Sequence, residues 1–169
     1  HPLGDGADGV YDRTEFRYNR QSEVTEIKDQ NGTVHLFKFD GLGRVLHDRV
    51  TTLGTDIDDA VRRKSTTYEV RGMVERITNY DSATVGSGSV VNEVVYEHND
   101  LGMLEKEYQE HEGAKDANTL YVQYDFDTSA SGGEYTKALR PSSVRYPNGR
   151  LVHFTYGATD SMADALVIA

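Results

Sequence analysis

Apolar and polar residues alternate along much of this chain with a period of two. Across residues 14–18, Phe16 and Tyr18 alternate with Glu15 and Arg17, the pattern of a strand with one apolar face. Phe37 and Phe39 flank Lys38; Val94, Tyr96 and His98 flank Val95 and Glu97; Val152, Phe154 and Tyr156 flank His153 and Thr155. Each run leads into a cluster of Asp, Asn and Gly. There an Asx side chain can hydrogen-bond its own backbone and glycine supplies the positive φ of a tight reversal. The returning strands break the alternation, because Val24 and Ile27, like Val74 and Ile77, stand three apart. That spacing predicts a β-bulge or a strong twist there.

The strand-and-turn units recur. Anchoring each copy on its aromatic or equivalent residue places them at Tyr18, Phe39, Tyr68, His98, Tyr124 and Tyr156, with spacings of 21, 29, 30, 26 and 32 residues. Two strands with their turns fit such a length. The clearest copy runs Phe39-Asp40-Gly41-Leu42-Gly43-Arg44-Val45; Gly72 and Gly102 hold the place of Gly43 in later copies, and Tyr124-Asp125 opens a fifth with a blurred turn. Asn31-Gly32 and Asn148-Gly149 also lie between strand-like runs, a strong hairpin signal that predicts a second kind of turn. Phe37 lies as far beyond Asn31 as Phe154 lies beyond Asn148. These are two copies of one device.

The aromatic-Asp-x-x-Gly-Arg-aliphatic core at residues 39–45, preceded by Asn-Gly and an alternating strand, resembles the YD repeat of RHS-repeat proteins, a family that includes bacterial toxin-delivery shells and teneurin ectodomains. The likeness runs over roughly residues 11–157, with departures: Glu23, Met73 and Met103 stand where Arg44 does, and His98 replaces the aromatic. The resemblance implies an all-β fold of antiparallel β-hairpin repeats in a spiralling sheet, a solenoid or shell segment. We expect a single domain over residues 1–169 with five to six units.

Composition narrows the function. The chain is 37% hydrophobic with mean hydropathy −0.63, suited to strands with one wet face. No apolar run approaches the roughly 20 residues of a membrane-spanning helix. A net charge of −10 repels phosphate backbones and argues against nucleic acid as a partner. Cysteine is absent, so disulfides, zinc-thiolate sites and thiol nucleophiles are excluded. We expect an extracellular or cell-surface protein, of bacterial type, and the His1-Pro2 opening suggests a processed product or an excised portion.

Candidate chemistry is sparse. Asp5 and Asp8, or Asp56, Asp58 and Asp59, offer oxygen ligands for calcium without completing a calcium motif; solvated turn residues are the simpler account, and no cofactor is expected. Neither a nucleophile elbow nor a spaced histidine pair is present. Asn31-Gly32-Thr33 is formally a glycosylation sequon. Runs around residues 56–59, 82–89, 112–116 and 128–133 read as surface loops. The eleven Tyr and five Phe most simply form a cross-strand ladder on the inner face of the sheet, with carbohydrate stacking as the sharper alternative. The expectation for function is a non-catalytic structural protein that joins other copies of itself head to tail through its terminal strands into a fibre or wall. A segment of a toxin-encapsulating shell and a carbohydrate-binding module are the alternatives.

Overall fold

The computed structural model describes residues 13–126, 140–155 and 167–168. Within them the chain forms twelve strands and no helix: β1 (Glu15–Tyr18), β2 (Val24–Lys28), β3 (Val34–Phe39), β4 (Val45–Thr52), β5 (Arg63–Tyr68), β6 (Val74–Tyr80), β7 (Val90–His98), β8 (Leu104–Glu110), β9 (Tyr121–Phe126), β10 (Pro141–Arg145), β11 (Leu151–Thr155) and β12 (Val167–Ile168). Strand order is chain order from β1 to β12, and the registered neighbours are antiparallel. The all-β hairpin meander therefore stands as expected. Tyr156, the sixth anchor, lies outside the described residues, as do Asp5, Asp8 and the 128–133 loop. With no helix among the described residues, none is long and apolar enough to cross a membrane.

Two compact units can be distinguished: residues through Glu93 with His111–Ala114, and Val94–Glu110 with the chain from Lys115 onward. In the first unit, cross-strand pairs sort the side chains onto two faces. Phe16 opposes Ile27 and Ile27 opposes His35, while Phe37 opposes Asp48 and Thr66 opposes Ile77. On the other face Arg17 opposes Glu26, Glu26 opposes Leu36, Arg49 opposes Arg63 and Ser65 opposes Thr78. Polar pairing ties this second face: Arg17 meets Glu26 at 3.1 Å, and Glu93 of β7 accepts from Arg76 at 2.6 Å and from the Thr78 hydroxyl at 2.7 Å. In the second unit Tyr108 packs on Tyr121 with centroids 5.0 Å apart, and Asp125 accepts from the Ser143 hydroxyl at 2.6 Å.

The aromatics expected to form a ladder are half-buried, and across the strands they face mainly aliphatic or polar residues. Phe16 lies opposite Ile27, Phe37 opposite Asp48, and Tyr18, Phe39 and Tyr68 each opposite a valine, with Tyr108 on Tyr121 a pair of rings. Val95 and Tyr108 are the buried hydrophobic residues among those described, whereas Thr33, Arg63, Thr78, Glu93, Thr119 and Ser143 are buried polar ones. On β1 the aromatics are exposed outright, Phe16 at 50% and Tyr18 at 60%. β1 has β2 on one side only among the described strands, so its side chains have a described neighbour to one side.

Bulges fall beside both three-residue steps, and another stands at Leu46, where the sequence shows no such step. Arg17 opposes Glu26 but Tyr18 opposes Val24, leaving Thr25 as the extra residue; Leu46 and Glu75 are extra in the same way after the next two turns of this kind. Each bulge sits one pair past the reversal, which increases the local twist while keeping the aromatic opposite a valine.

Candidate functional site: the repeat turns

Among the described residues, six reversals share one backbone geometry. At residues 40–44 the Asp40 amide donates to the Arg44 carbonyl at 3.0 Å and the Gly43 amide donates back to the Asp40 carbonyl at 3.2 Å. The same two bonds close 19–23, 29–33, 69–73, 99–103 and 146–150. The fourth residue always has positive φ: Ser22 64°, Gly32 86°, Gly43 78°, Gly72 91°, Gly102 81° and Gly149 81°. This is a three-residue hairpin loop in which a left-handed residue forms a bulge with the closing strand. The expectation of a separate Asn-Gly turn type is thereby corrected. Asn31 and Asn148 sit at the third position, where Leu42 sits in the 39–45 copy, and their glycines take the role of Gly43. A two-residue Asn-Gly turn would need both residues left-handed, whereas here glycine alone has positive φ.

Side chains reinforce the frame where the first residue is Asx. The Asp40 Oδ1 accepts from the amides of Leu42 at 2.8 Å and Arg44 at 3.0 Å. Asn19 and Asn99 do the same at 2.9–3.0 Å. These bonds, the one from the Arg44 amide foremost, hold the Asp40 carboxyl below its ordinary pKa of 3.8. Glu69 is one methylene too long for that closure, and its carboxylate instead grips Arg71 at 2.7 Å.

The fifth residue links one turn to the next. Arg44 gives Nε and Nη2 to Asp40 Oδ2, each at 2.7 Å, stacks its guanidinium 4.1 Å from the Tyr68 ring centre, and donates Nη1 to the Gly72 carbonyl at 3.2 Å. Tyr68 returns its hydroxyl to the Val45 carbonyl at 3.0 Å. Glu23 takes the place of Arg44 one repeat earlier: it accepts from Asn19 Nδ2 at 2.6 Å, and a Cβ on Gly43 would lie 2.8 Å from its Oε1. The glycine of this motif thus answers two demands, a left-handed backbone and room for the neighbouring repeat's side chain.

Tyr18, Phe39, Tyr68 and His98 each precede a turn, as expected. Tyr124 and Asp125 do not: both lie inside β9, and Asp125 bonds Ser143 and Gln123, interactions that lower its pKa. Asp56 and Asp58 serve as turn residues, Asp56 through a φ of 60° and Asp58 by accepting the Ala60 amide at 2.9 Å. Among the described residues no three His, Asp or Glu side chains are grouped as a metal ion requires. The Asn31 amide is held by the Thr55 carbonyl at 2.9 Å, and Thr33, 5% exposed, receives the Gly54 amide on its hydroxyl.

Pattern reading missed Arg63, which is 3% exposed. Its guanidinium lies 3.9 Å from the Tyr80 ring centre and donates to the carbonyls of Ser82 at 2.8 Å, Ser87 at 3.1 Å and Thr84, pinning the loop of residues 81–89. A lone basic residue at a strand start carries no periodic signal. In the second unit an open groove of about 250 Å³ is flanked by Tyr121 and Tyr146, respectively 38% and 41% exposed.

The chain matches no known protein family by sequence, and no curated protein matches it. Among solved structures it is similar to the crystal structure of TcdB2-TccC3-TEV, at 11% identity and a TM-score of 0.31, over 84% of this chain and 10% of that one. It is also similar to TcdB2-TccC3 without hypervariable C-terminal region, at 12% identity and a TM-score of 0.31, over 90% of this chain and 10% of that one. This chain spans about a tenth of the length of each.

Proposed function

We propose that this chain is a non-catalytic structural segment of the YD-repeat, or RHS-repeat, type, exported to a cell surface, whose sheet is continued by further strands at its edges into a fibre or wall. The observation that carries the reading is the strand order: a meander in chain order gives β1 a partner on one side only among the described strands. A strand with free amides and carbonyls is a template for another strand. Phe16 and Tyr18, exposed on it, add an apolar face for the newcomer to cover. The repeat assignment rests on the turns, where the Asp, Gly and Arg of the 39–45 core each have a definite task. The lowered pKa values of Asp40, Asp116 and Asp125 follow from turn and cross-strand hydrogen bonds, a structural cause that asks for no chemistry.

Sedimentation across a range of concentrations, with negative-stain imaging, tests the reading. Wild-type protein is expected to associate into elongated particles, and Phe16→Lys/Tyr18→Lys to remain monomeric with an unchanged circular dichroism spectrum. Wild-type protein that stays monomeric at every concentration overturns head-to-tail assembly. A segment whose next repeat belongs to the same polypeptide, as in a toxin-encapsulating shell, then becomes the reading to pursue. Carbohydrate binding has one observation in its favour, the groove between Tyr121 and Tyr146, since exposed rings stack on sugar faces; glycan-array binding lost in Tyr146→Ala would support it.

A further inference from the structure

Several arginines among the described residues meet a carboxylate: Arg13 with Glu15, Arg17 with Glu26, Arg44 with Asp40, Arg71 with Glu69 and Arg76 with Glu93, at 2.6–3.1 Å. Arg49 does not, and its Nε is buried without a hydrogen-bond partner. It stands on β4 opposite Leu36 of β3 on one side and Arg63 of β5 on the other. Two residues earlier on the same face His47 lies between Lys38 and Ser65. Lys38, His47, Arg49 and Arg63 thus gather on one face of three adjacent strands, and no position paired with them across the sheet holds a carboxylate. The acids on or beside these strands are engaged elsewhere: Asp48 points to the other face, where it bonds His35 at 2.8 Å, Glu26 pairs with Arg17, and Glu93 on this face takes Arg76 and the Thr78 hydroxyl.

Such an arrangement costs stability as it stands. Like charges directly opposite in a sheet repel, and an unpaired buried donor forfeits its hydrogen bond to water. Arg63 spends its own donors on the Ser65 hydroxyl and loop carbonyls, which hold the guanidinium without cancelling its charge. His47 registers the field: burial first, then Arg63, Lys38 and Arg49, lower its pKa. A positive cluster of this kind, in a chain of net charge −10, is one that an arriving anion would relieve.

We propose that Arg49, with Lys38 and His47 beside it, is a binding site for a carboxylate supplied from outside the described residues, either a free polycarboxylic acid or the side chain of an acidic peptide segment. A guanidinium takes a carboxylate in two parallel hydrogen bonds, and a carboxylate is the partner that Arg13, Arg17, Arg44, Arg71 and Arg76 already have. The site lies on the face of β3–β5, so it stands or falls separately from the pairing of β1.

Calorimetric titration of the full chain with citrate and with a blocked hexaglutamate peptide, at ionic strength fixed with chloride, tests the site. Saturable binding of either probe is expected, with about a tenfold loss of affinity in Arg49→Gln, the equivalent of about 1.4 kcal/mol, and a smaller loss in the exposed-site variant Lys38→Gln. Arg71→Gln, in a turn on a different part of the sheet, is expected to bind as wild type does. Citrate binding alone identifies a free-acid site, and peptide binding alone an acidic segment. No binding of either probe beyond chloride overturns the proposal, as does equal binding by wild type and Lys38→Gln together with Arg49→Gln. If Arg49→Gln fails to fold, Lys38→Gln decides.

Discussion

At one end of the first unit the chain reverses at residues 19–23, 40–44 and 69–73 with the same pair of backbone hydrogen bonds each time. At the other end it reverses that way once, at 29–33, and twice through the longer loops of residues 53–62 and 81–89. The uniform end is held by geometry that any compatible sequence can supply, a left-handed fourth residue, with Arg44 stitched across to Tyr68 and Gly72. The varied end is held by particular buried polar groups: Thr33 receives the Gly54 amide, and Arg63 gathers three carbonyls of the 81–89 loop. A sheet with little apolar burial is therefore stabilised repetitively at one end and individually at the other. Substitutions should spread their cost over many sites at the first and concentrate it at one or two at the second.

The sharpest break in that contrast is Arg63→Met. It keeps the apolar stem and removes the donors to three carbonyls and the stacking on Tyr80, so we expect a loss of about 3 kcal/mol in urea unfolding and faster amide exchange across residues 81–89. A loss under about 1 kcal/mol would mean that the loop holds itself. Gly72→Ala comes next, at about 1–2 kcal/mol, because the residue has φ of 91° and the new Cβ would lie 3.1 Å from Arg44 Nη1. Asp40→Ala should destabilise less than the glycine replacement, and its effect should depend on pH. The turn lowers the Asp40 pKa from 3.8, so its contribution is complete above that value and is lost as pH falls through the lower native one. The gap between wild type and Asp40→Ala, followed by thermal unfolding, is expected to be full at pH 6 and to shrink below about pH 4. The smallest effect has the opposite sign. Ser22, at φ 64°, is the one non-glycine at the fourth position of these turns, and Ser22→Gly is expected to stabilise by about 0.5 kcal/mol, the relieved strain exceeding the added backbone entropy.

What could be read from the chain divides along the same line. Strands, turn positions and even the bulges at Thr25 and Glu75 were legible, because a period of two, a glycine and a three-residue step are local signals. The shared geometry of the Asn-Gly turns was not, since an Asn-Gly pair fits both a two-residue turn and the last two positions of a three-residue one. Only the register of the flanking strands decides between them. Asp125 misled for a related reason: an aromatic followed by Asp marks a turn only if glycine follows at the right distance, and here Phe126 continues the strand. Arg63 and the Thr78–Glu93–Arg76 cluster were invisible, because what makes them important is a neighbour 15–24 residues away. The link from Arg44 to Tyr68 was half visible. The motif flagged the arginine, but its contact with the next repeat exists only once the turns are stacked.

The central claim is that the sheet continues beyond β1, and the exchange of the β1 amides tests it most directly. In an antiparallel pair half of the amides of Glu15–Tyr18 point away from β2. The account predicts that these outward amides exchange rapidly in dilute protein and become protected as concentration rises, while those facing β2 stay protected throughout. Outward amides that exchange at the same rate at every concentration, whether fast or slow, would contradict it.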